Sequence, residues 1–218
     1  MKIPIIGITS REVNTKPFSF QMIHNEYYEA VIKSGGNPIM LLPYENDIIL
    51  SLCNGFIITG GDDGTNYDYY LLEYAKKHNI PILGICLGMQ IMAISDGAKL
   101  ISIGNQSHKS NQLQVHNVLI NKNSSLYKII NKEIITVNSR HIYKIDKVTN
   151  YKIVGRSSDK VIEAIELPNQ LFHLGLEWHP ETLYNTDQNS QKIFDSFIKA
   201  CQKEKKLSKV LEKKLYLR

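Results

Sequence analysis

The sequence of 218 residues lacks an apolar run long enough to cross a bilayer. Its longest uncharged apolar stretch covers residues 80–95 and is interrupted by Pro81, Gly84 and Gly88, whereas a spanning helix needs about 20 residues. The first residues show no apolar segment followed by a small-residue cleavage site, which a secretory signal would require. We therefore expect a cytoplasmic protein without a membrane partner.

Cysteine is also scarce. Cys53, Cys86 and Cys201 are an odd number without metal-ligand spacing, which argues against a disulfide framework and a structural zinc site. His108 and His116 can be interpreted as a ligand pair with seven residues between them, but we expect no carboxylate or cysteine to join them at a useful distance. Exposed or hydrogen-bonded histidines are therefore expected, and the sequence predicts neither a metal site nor a cofactor.

The body of the chain has no excess charge of either sign. The sequence carries a net charge of +5, and residues 203–218 supply all of it, with seven basic and two acidic residues. A neutral body argues against a nucleic-acid partner. The composition, with 43% hydrophobic and 22% charged residues, suits one globular domain. We predict a domain over residues 1–202 and a basic C-terminal helix or tail over 203–218.

Strand and helix patterns alternate in the first half of the chain. Short buried strands are predicted at 3–8, 38–42, 55–59 and 82–85, and helices at 25–34, 67–77 and 87–95. The second half is strand-like at 98–101, 114–120, 134–137, 152–156, 161–167 and 171–176, before a last helix at 189–206. The pattern predicts an α/β domain with a mostly parallel central sheet, helices on both faces and a smaller antiparallel or mixed portion.

Cys86 stands between two glycines where a buried strand is followed by a helix, in the string GICLG. A strand-to-helix turn is sharp and strained, so Gly84 and Gly88 supply the small flanking positions, and the side chain at the tip projects from the sheet edge. The helix N-terminus is expected to lower the pKa of the thiol. The pattern predicts a nucleophile, with a buried structural cysteine as the alternative.

A base for this thiol is predicted at His179, which follows a predicted strand in the string GLEWHPE. Residues that follow parallel strands share one edge of a sheet, so His179 and Cys86 are expected to meet there. Glu181 can accept the second imidazole N–H and fix the tautomer, as the third member of a catalytic triad does.

Two turns can supply backbone donors for an oxyanion. One donor is the N–H of Leu87, the residue after the predicted nucleophile. The other source is the pair Gly60-Gly61 after the strand at 55–59, where the absence of side chains lets the backbone approach a ligand.

In combination, the strings ITGGDD, PILGICLGMQ and GLEWHPE resemble the class I glutamine amidotransferase group of cysteine hydrolases. The string VNSRH at 137–141, with His116 and Val118, is similar to free-standing hydrolases of the peptidase C26 type, such as γ-glutamyl-γ-aminobutyrate hydrolases. The resemblance implies a flavodoxin-like fold in which the nucleophile is Cys86, the base and acid His179, and the orienting group Glu181. It further implies an oxyanion site at Gly60, Gly61 and Leu87, and γ-glutamyl contacts at Gln90, Asn138, Ser139 and His141.

The sequence departs from hydrolases of that type at several positions. Only residues 62–66 separate the glycine pair from the next helix, where those proteins usually have a longer segment. Leu87 stands where they tend to have Arg, Tyr143 where they have Gln, and Asp96 where Gly is common. A shorter loop removes part of the wall that would contact the leaving amine, so the resemblance does not transfer the amine specificity.

The resemblance implies that the protein hydrolyses a small γ-glutamyl amide through a thioester, as a free-standing chain or a homodimer. A glutaminase subunit that supplies ammonia to a partner synthase is an alternative, because GICLGMQ fits such subunits equally well, although VNSRH argues against it. An inactive binding module of the same fold is a second alternative.

Overall fold

A computed structural model describes residues 3–104 and 107–202. The strands in these ranges are β1 (Ile5–Thr9), β2 (Arg11–Thr15), β3 (Phe18–Met22), β4 (Asn37–Leu41), β5 (Gly55–Ile58), β6 (Ile82–Ile85), β7 (Leu100–Ser102), β8 (His116–Ile120), β9 (Ile134–Val137), β10 (Tyr143–Ile145), β11 (Lys152–Ser157), β12 (Ile162–Glu166) and β13 (His173–Leu176). The helices are α1 (Asn25–Lys33), α2 (Asp47–Leu52), α3 (Asn66–His78), α4 (Leu87–Ser95), α5 (Ser125–Ile130), α6 (Pro180–Leu183) and α7 (Gln188–Cys201).

Nine strands form one central sheet in the order β4-β1-β5-β6-β13-β12-β11-β8-β9. The strands from β4 to β13 are parallel neighbours, and those from β13 to β9 pair antiparallel. Strands β5, β6 and β13 are buried along their whole length, as a sheet covered on both faces requires. The predicted α/β architecture is confirmed, and most of its antiparallel portion continues the same sheet.

Two hydrophobic cores lie on opposite faces of this sheet, because successive strand residues point to opposite sides. On β5, Ile57 belongs to one core, and Phe56 and Ile58 belong to the other. Helices α1, α5 and α7 contribute to the first core, and α2, α3 and α4 to the second. Within the described ranges, none of the helices combines the length and the apolar character that crossing a membrane would take.

Several elements differ from the sequence prediction. Strands β2 and β3 form an antiparallel hairpin outside the central sheet, which the sequence pattern did not predict. The strand predicted at 98–101 is observed two residues later as β7, in a separate two-stranded sheet with β10. The last helix is observed over Gln188–Cys201. The predicted continuation of that helix to 206 and the basic segment 203–218 lie outside the described residues.

Candidate active site

The candidate nucleophile occupies a strained turn between β6 and α4. Cys86 has φ 52° and ψ −107°, a backbone conformation that side chains with a Cβ rarely adopt. A Cβ built on Gly88 would lie 2.2 Å from the carbonyl oxygen of Ile58, and one built on Gly84 would lie 2.4 Å from Sδ of Met92. Only glycine fits at both positions, so the predicted reason for the GICLG pattern is confirmed by these close approaches.

The thiol of Cys86 is nearly enclosed, with the residue 8% exposed. Burial raises the pKa of this thiol well above its usual value, the nearby carboxyl group of Glu177 adds to the increase, and the N–H of Leu87 acts in the opposite direction. The expectation that the helix N-terminus would lower the pKa of Cys86 is wrong, because desolvation outweighs the helix contribution. Enclosure of the sulfur therefore favours the protonated thiol over the thiolate.

His179 and Glu181 form a short hydrogen bond at the N-terminus of α6. Nδ1 of His179 lies 2.7 Å from Oε1 of Glu181, a geometry in which the imidazole N–H donates and the carboxylate accepts. Pro180 occupies the first position of α6, so it fixes the backbone between the two residues. Nε2 of His179 is thereby left with the lone pair that a base requires.

Asn138 fixes the backbone of His179. Its Oδ1 accepts the N–H of His179 at 2.8 Å, and its Nδ2 donates to the carbonyl of His179 at 3.0 Å and to Oγ1 of Thr182 at 2.9 Å. These three hydrogen bonds use the whole amide of a side chain that is fully buried. Asn138 therefore fixes the backbone position of the candidate base, His179.

Gly60 lies between the candidate nucleophile and the candidate base. A Cβ built on Gly60 would lie 2.9 Å from Cε1 of His179 and 3.5 Å from Cβ of Cys86. The two side chains therefore flank the same point, although they are separated by more than 90 residues in the sequence. A side chain at position 60 would push the imidazole away from the thiol.

The turn after β5 is held by two residues that the sequence analysis missed. The N–H of Gly60 donates to the hydroxyl of Tyr27 at 2.9 Å. Arg11 donates to the carbonyl oxygens of Gly60 and Thr59 at 3.1 and 2.7 Å. Since the N–H of Gly60 is already bound, the candidate oxyanion donors at this site are the N–H groups of Gly61 and Leu87.

The other residues predicted near the substrate lie behind the triad with their polar groups bound to protein. Nε2 of Gln90 donates to Oε1 of Glu177, and the hydroxyl of Ser139 donates to the carbonyl of His108 at 2.6 Å. Nδ1 of His141 donates to the carbonyl of Tyr143 at 2.8 Å. Direct contact of Gln90, Asn138, Ser139 or His141 with a γ-glutamyl group stays a prediction.

A cluster of three histidines lies beneath these residues, and it corrects the interpretation of His108 and His116. The side chain of Glu163 is fully buried and lies 3.3 Å from Nδ1 of His108 and 3.2 Å from Nε2 of His116. The expectation that no carboxylate joins this pair is wrong. Glu163 lies at least 47 residues away in the sequence, and the pairing of β12 with β11 and of β11 with β8 brings it next to the two histidines.

Comparison with known proteins decides the family. The sequence matches the Peptidase C26 family over residues 4–65 and 64–181. The chain belongs to the Peptidase C26 family. The two matched segments overlap at residues 64 and 65, in the exposed stretch after Gly61.

Relatives of similar length extend over nearly the whole chain. The glutamine amidotransferase-like protein RP404 of Rickettsia prowazekii (strain Madrid E) is 26% identical, with 90% of this chain and 97% of the relative covered. A γ-glutamyl-γ-aminobutyrate hydrolase of Escherichia coli O157:H7 is 25% identical, with 93% and 95% covered. A solved structure from Thermoplasma acidophilum, described as a GMP synthase subunit, shares the fold with a TM-score of 0.70 and 18% identity, covering 92% of this chain and 96% of that one. Family and relatives support a hydrolase of C–N bonds.

Proposed function

We propose that this C26 family member is a cysteine-dependent hydrolase that cleaves the γ-glutamyl amide bond of a small compound and releases glutamate and an amine. The observation that carries the proposal is the convergence of Cys86, His179 and Glu181 around Gly60. The name of the Escherichia coli relative, a γ-glutamyl-γ-aminobutyrate hydrolase, supports the γ-glutamyl half of the substrate.

In the proposed first half-reaction, the sulfur of Cys86 attacks the γ-carbonyl carbon while its proton moves to Nε2 of His179. The raised pKa of the thiol favours this concerted transfer over a preformed thiolate. The imidazolium then donates the proton to the amide nitrogen, the C–N bond breaks and the amine leaves. The product on the enzyme is a thioester between Cys86 and the glutamyl group.

The negative charge on the tetrahedral oxygen needs preorganised donors. The N–H groups of Leu87 and Gly61 are proposed for this role, because Leu87 follows the nucleophile at the start of α4 and Gly61 follows the braced turn at Gly60. Loss of one such donor costs about 3 kcal/mol in comparable sites. Arg11 is proposed to hold the Gly61 backbone in place through its hydrogen bonds to Thr59 and Gly60.

The proposed second half-reaction uses the same histidine as a base. His179 takes a proton from a water molecule, whose oxygen attacks the thioester carbonyl carbon. The C–S bond breaks, glutamate leaves, and the proton returns from His179 to the sulfur. Glu181 stabilises the imidazolium in both halves and keeps Nε2 directed at the reacting atoms.

A panel of γ-glutamyl amides, assayed by release of glutamate, tests the proposed function. We expect turnover of at least one small γ-glutamyl amide by the purified chain alone and its loss in Cys86→Ala. Cys53→Ala is the matched control, because Cys53 is also buried but lies outside the elbow. Retained turnover in Cys86→Ala would exclude the proposed nucleophile.

A glutaminase subunit is the second candidate. The fold likeness to a protein described as a GMP synthase subunit favours it. This candidate predicts that the purified chain hydrolyses glutamine poorly until a synthase is added, whereas the free-standing hydrolase needs no partner. An inactive binding module, the third candidate, predicts that Cys86 is not labelled by a glutamine-like electrophile.

A further inference from the structure

His108, His116, His141 and Glu163 form a buried cluster that the proposed catalytic steps do not use. His108 precedes β8, His116 is the first residue of β8, His141 follows β9, and Glu163 lies on β12. His108, His141 and Glu163 are buried, and the side chain of His116 is 14% exposed. The cluster thus joins two strands of the antiparallel half and two connecting segments at one point.

The spacing of the donor atoms fits a single small cation. Oε1 of Glu163 lies 3.3 Å from Nδ1 of His108, 3.2 Å from Nε2 of His116 and 3.8 Å from Nε2 of His141. Nδ1 of His108 lies 3.2 Å from Nε2 of His141. With metal–nitrogen bonds of about 2.0–2.1 Å, tetrahedral ligands lie about 3.3–3.4 Å apart, so His108, His141 and Glu163 are close to the spacing that zinc requires.

The outer hydrogen bonds of two histidines direct their lone pairs at each other. Nδ1 of His141 faces the carbonyl of Tyr143 at 2.8 Å, so this nitrogen carries the proton and Nε2 carries a lone pair. Nε2 of His108 faces Oδ2 of Asp159 at 2.9 Å. A carboxylate oxygen accepts, so Nε2 of His108 carries the proton in this contact. Nδ1 of His108 therefore also carries a lone pair.

The carboxylate of Glu163 is surrounded by the three histidine rings, at 3.2 to 3.8 Å. Among residues 3–104 and 107–202, no aligned hydrogen bond reaches either carboxylate oxygen of Glu163 or either ring nitrogen of His116. A buried carboxylate beside two facing lone pairs is costly unless a positive charge lies between them. That charge is either an additional proton on one imidazole or a metal ion.

We propose that His108, His141 and Glu163 bind one divalent transition-metal ion of the zinc class, with one ligand atom from each residue within 4.8 Å of the other two. Two imidazole nitrogens and one carboxylate oxygen are ligands that Zn²⁺ accepts. The carbonyl of Tyr143 and the carboxylate of Asp159 provide the second-layer acceptors that orient metal-bound histidines. The three ligands are buried and none of them belongs to the proposed catalytic groups Cys86, His179 and Glu181, so we assign the ion a stabilising role.

The position of the cluster explains what such an ion would stabilise. Nδ1 of His141 lies 3.4 Å from Oε1 of Glu177, which accepts a hydrogen bond from Gln90 on α4. Asn138, three residues before His141, fixes the backbone of His179. The ion would therefore tie the segment 138–141 to the segment before β8 and to β12, next to the residues that hold the candidate base.

Cobalt binding tests this inference independently of any enzymatic activity. The full chain, with any affinity tag removed and metals stripped by a chelator, is titrated with Co²⁺. We expect one equivalent to bind with the visible absorption of tetrahedral Co²⁺, Zn²⁺ to displace it, and Zn²⁺ to raise the thermal unfolding midpoint by several degrees. Absence of this absorption and of the thermal shift in the wild-type chain would overturn the proposal and favour an imidazolium in its place.

Two variants and one control locate the site. Glu163→Gln removes a ligand and is expected to abolish the Co²⁺ absorption. Asp159→Asn removes a second-layer acceptor at a half-exposed position, where folding is not at risk, and is expected to weaken Co²⁺ binding about 10–100-fold. Asp195→Asn, an exposed change on α7, is expected to bind Co²⁺ as the wild type does. Unchanged Co²⁺ binding in Asp159→Asn would contradict the assigned site.

Discussion

At the scale of single residues, Cys86 combines backbone strain with burial. Its φ of 52° is a conformation that residues with a Cβ rarely adopt, and its enclosure raises the pKa of the thiol. A neutral thiol needs a nearby base at the moment of attack, which the position of His179 across Gly60 supplies. The geometry therefore favours transfer of the thiol proton to His179 during the attack over a thiolate that is already formed in the resting enzyme.

The raised pKa of Cys86 leads to a prediction about its reactivity. The rate constant for alkylation of Cys86 by iodoacetamide should still increase with pH above about 9, where an ordinary cysteine with a pKa of about 8.5 levels off. Mass spectrometry of the Cys86 peptide measures this rate, and the Cys86→Ser variant gives the background from Cys53 and Cys201. A plateau below pH 8 would show that the thiol pKa is lowered instead.

Glu181 should contribute through orientation and charge. Glu181→Gln leaves the shape of the side chain intact but removes the carboxylate that holds the imidazole tautomer and balances the imidazolium. We expect kcat for a γ-glutamyl amide to fall about 10³–10⁴-fold with an unchanged thermal midpoint. Glu133→Gln, a change in an exposed ion pair, is the matched control. A loss of less than tenfold would remove Glu181 from the triad.

At the scale of elements, the hairpin β2–β3 supports the site from outside the central sheet. Arg11, the first residue of β2, pairs with Asp68 on α3 through two hydrogen bonds of 3.0 and 2.8 Å. The same guanidinium binds the carbonyls of Thr59 and Gly60. One side chain therefore connects the hairpin, the helix after the shortened loop and the turn at the candidate oxyanion site.

Replacement of Arg11 should affect both stability and catalysis. Arg11→Met leaves the carboxylate of Asp68 without its cation, and the side chain of Asp68 is only 1% exposed. We therefore expect the free energy of unfolding, measured with urea, to fall by about 2–4 kcal/mol. The freed turn should also lower kcat at least about tenfold.

Lys33→Met is the matched control for Arg11→Met. It breaks an ion pair with Glu29 in which both side chains are more than 40% exposed, and such a pair contributes at most about 1 kcal/mol. Equal losses of stability in the two variants would contradict a special role for Arg11.

The sequence predicts an element well where its hydrophobic pattern and the residues at its ends indicate the same structure. Strand 82–85 and helix 87–95 were placed at their observed bounds, because a short buried run followed by a glycine-flanked turn permits few alternatives. The hairpin was missed because its strand residues are mostly exposed and lack a buried face. Arg11, Tyr27 and Glu163 were missed because each acts through contacts with residues more than 30 positions away.

At the scale of the whole molecule, one sheet unites a parallel half that carries Cys86 with an antiparallel half that carries the histidine cluster. Strand β13 joins the two halves, since it pairs parallel with β6 and antiparallel with β12. His179 follows this strand after two intervening residues. The proximity of Cys86 and His179 could be predicted because both follow neighbouring parallel strands, whereas the cluster depends on strand order in the antiparallel half, which no local pattern specifies.

His173, at the start of β13, should make stability depend on pH. Burial lowers the pKa of His173 to about 4, and Nε2 donates to the carbonyl of Ile80 at 3.0 Å. In the unfolded chain this histidine takes up a proton near pH 6.5, so between about pH 6.5 and 4 the unfolded state binds a proton that the folded state does not. The folded state therefore loses stability as pH falls through this window.

His173→Gln should remove this contribution, because the amide can still donate to Ile80 but does not titrate. We expect the wild type to lose on the order of 2–3 kcal/mol more than the variant between pH 6.5 and 4, as measured by urea unfolding at each pH. Parallel curves for the two proteins would show that His173 is not buried as a neutral ring.

The central claim is that Cys86 forms a thioester with a γ-glutamyl group. The most direct measurement is intact-protein and peptide mass spectrometry after rapid acid quenching of the enzyme with a γ-glutamyl amide. The account predicts one glutamyl group on the Cys86 peptide, more of it when the quench precedes hydrolysis, and none in Cys86→Ala. Release of glutamate by the wild type without any acylated Cys86 peptide, or with equal release by Cys86→Ala, would contradict the account.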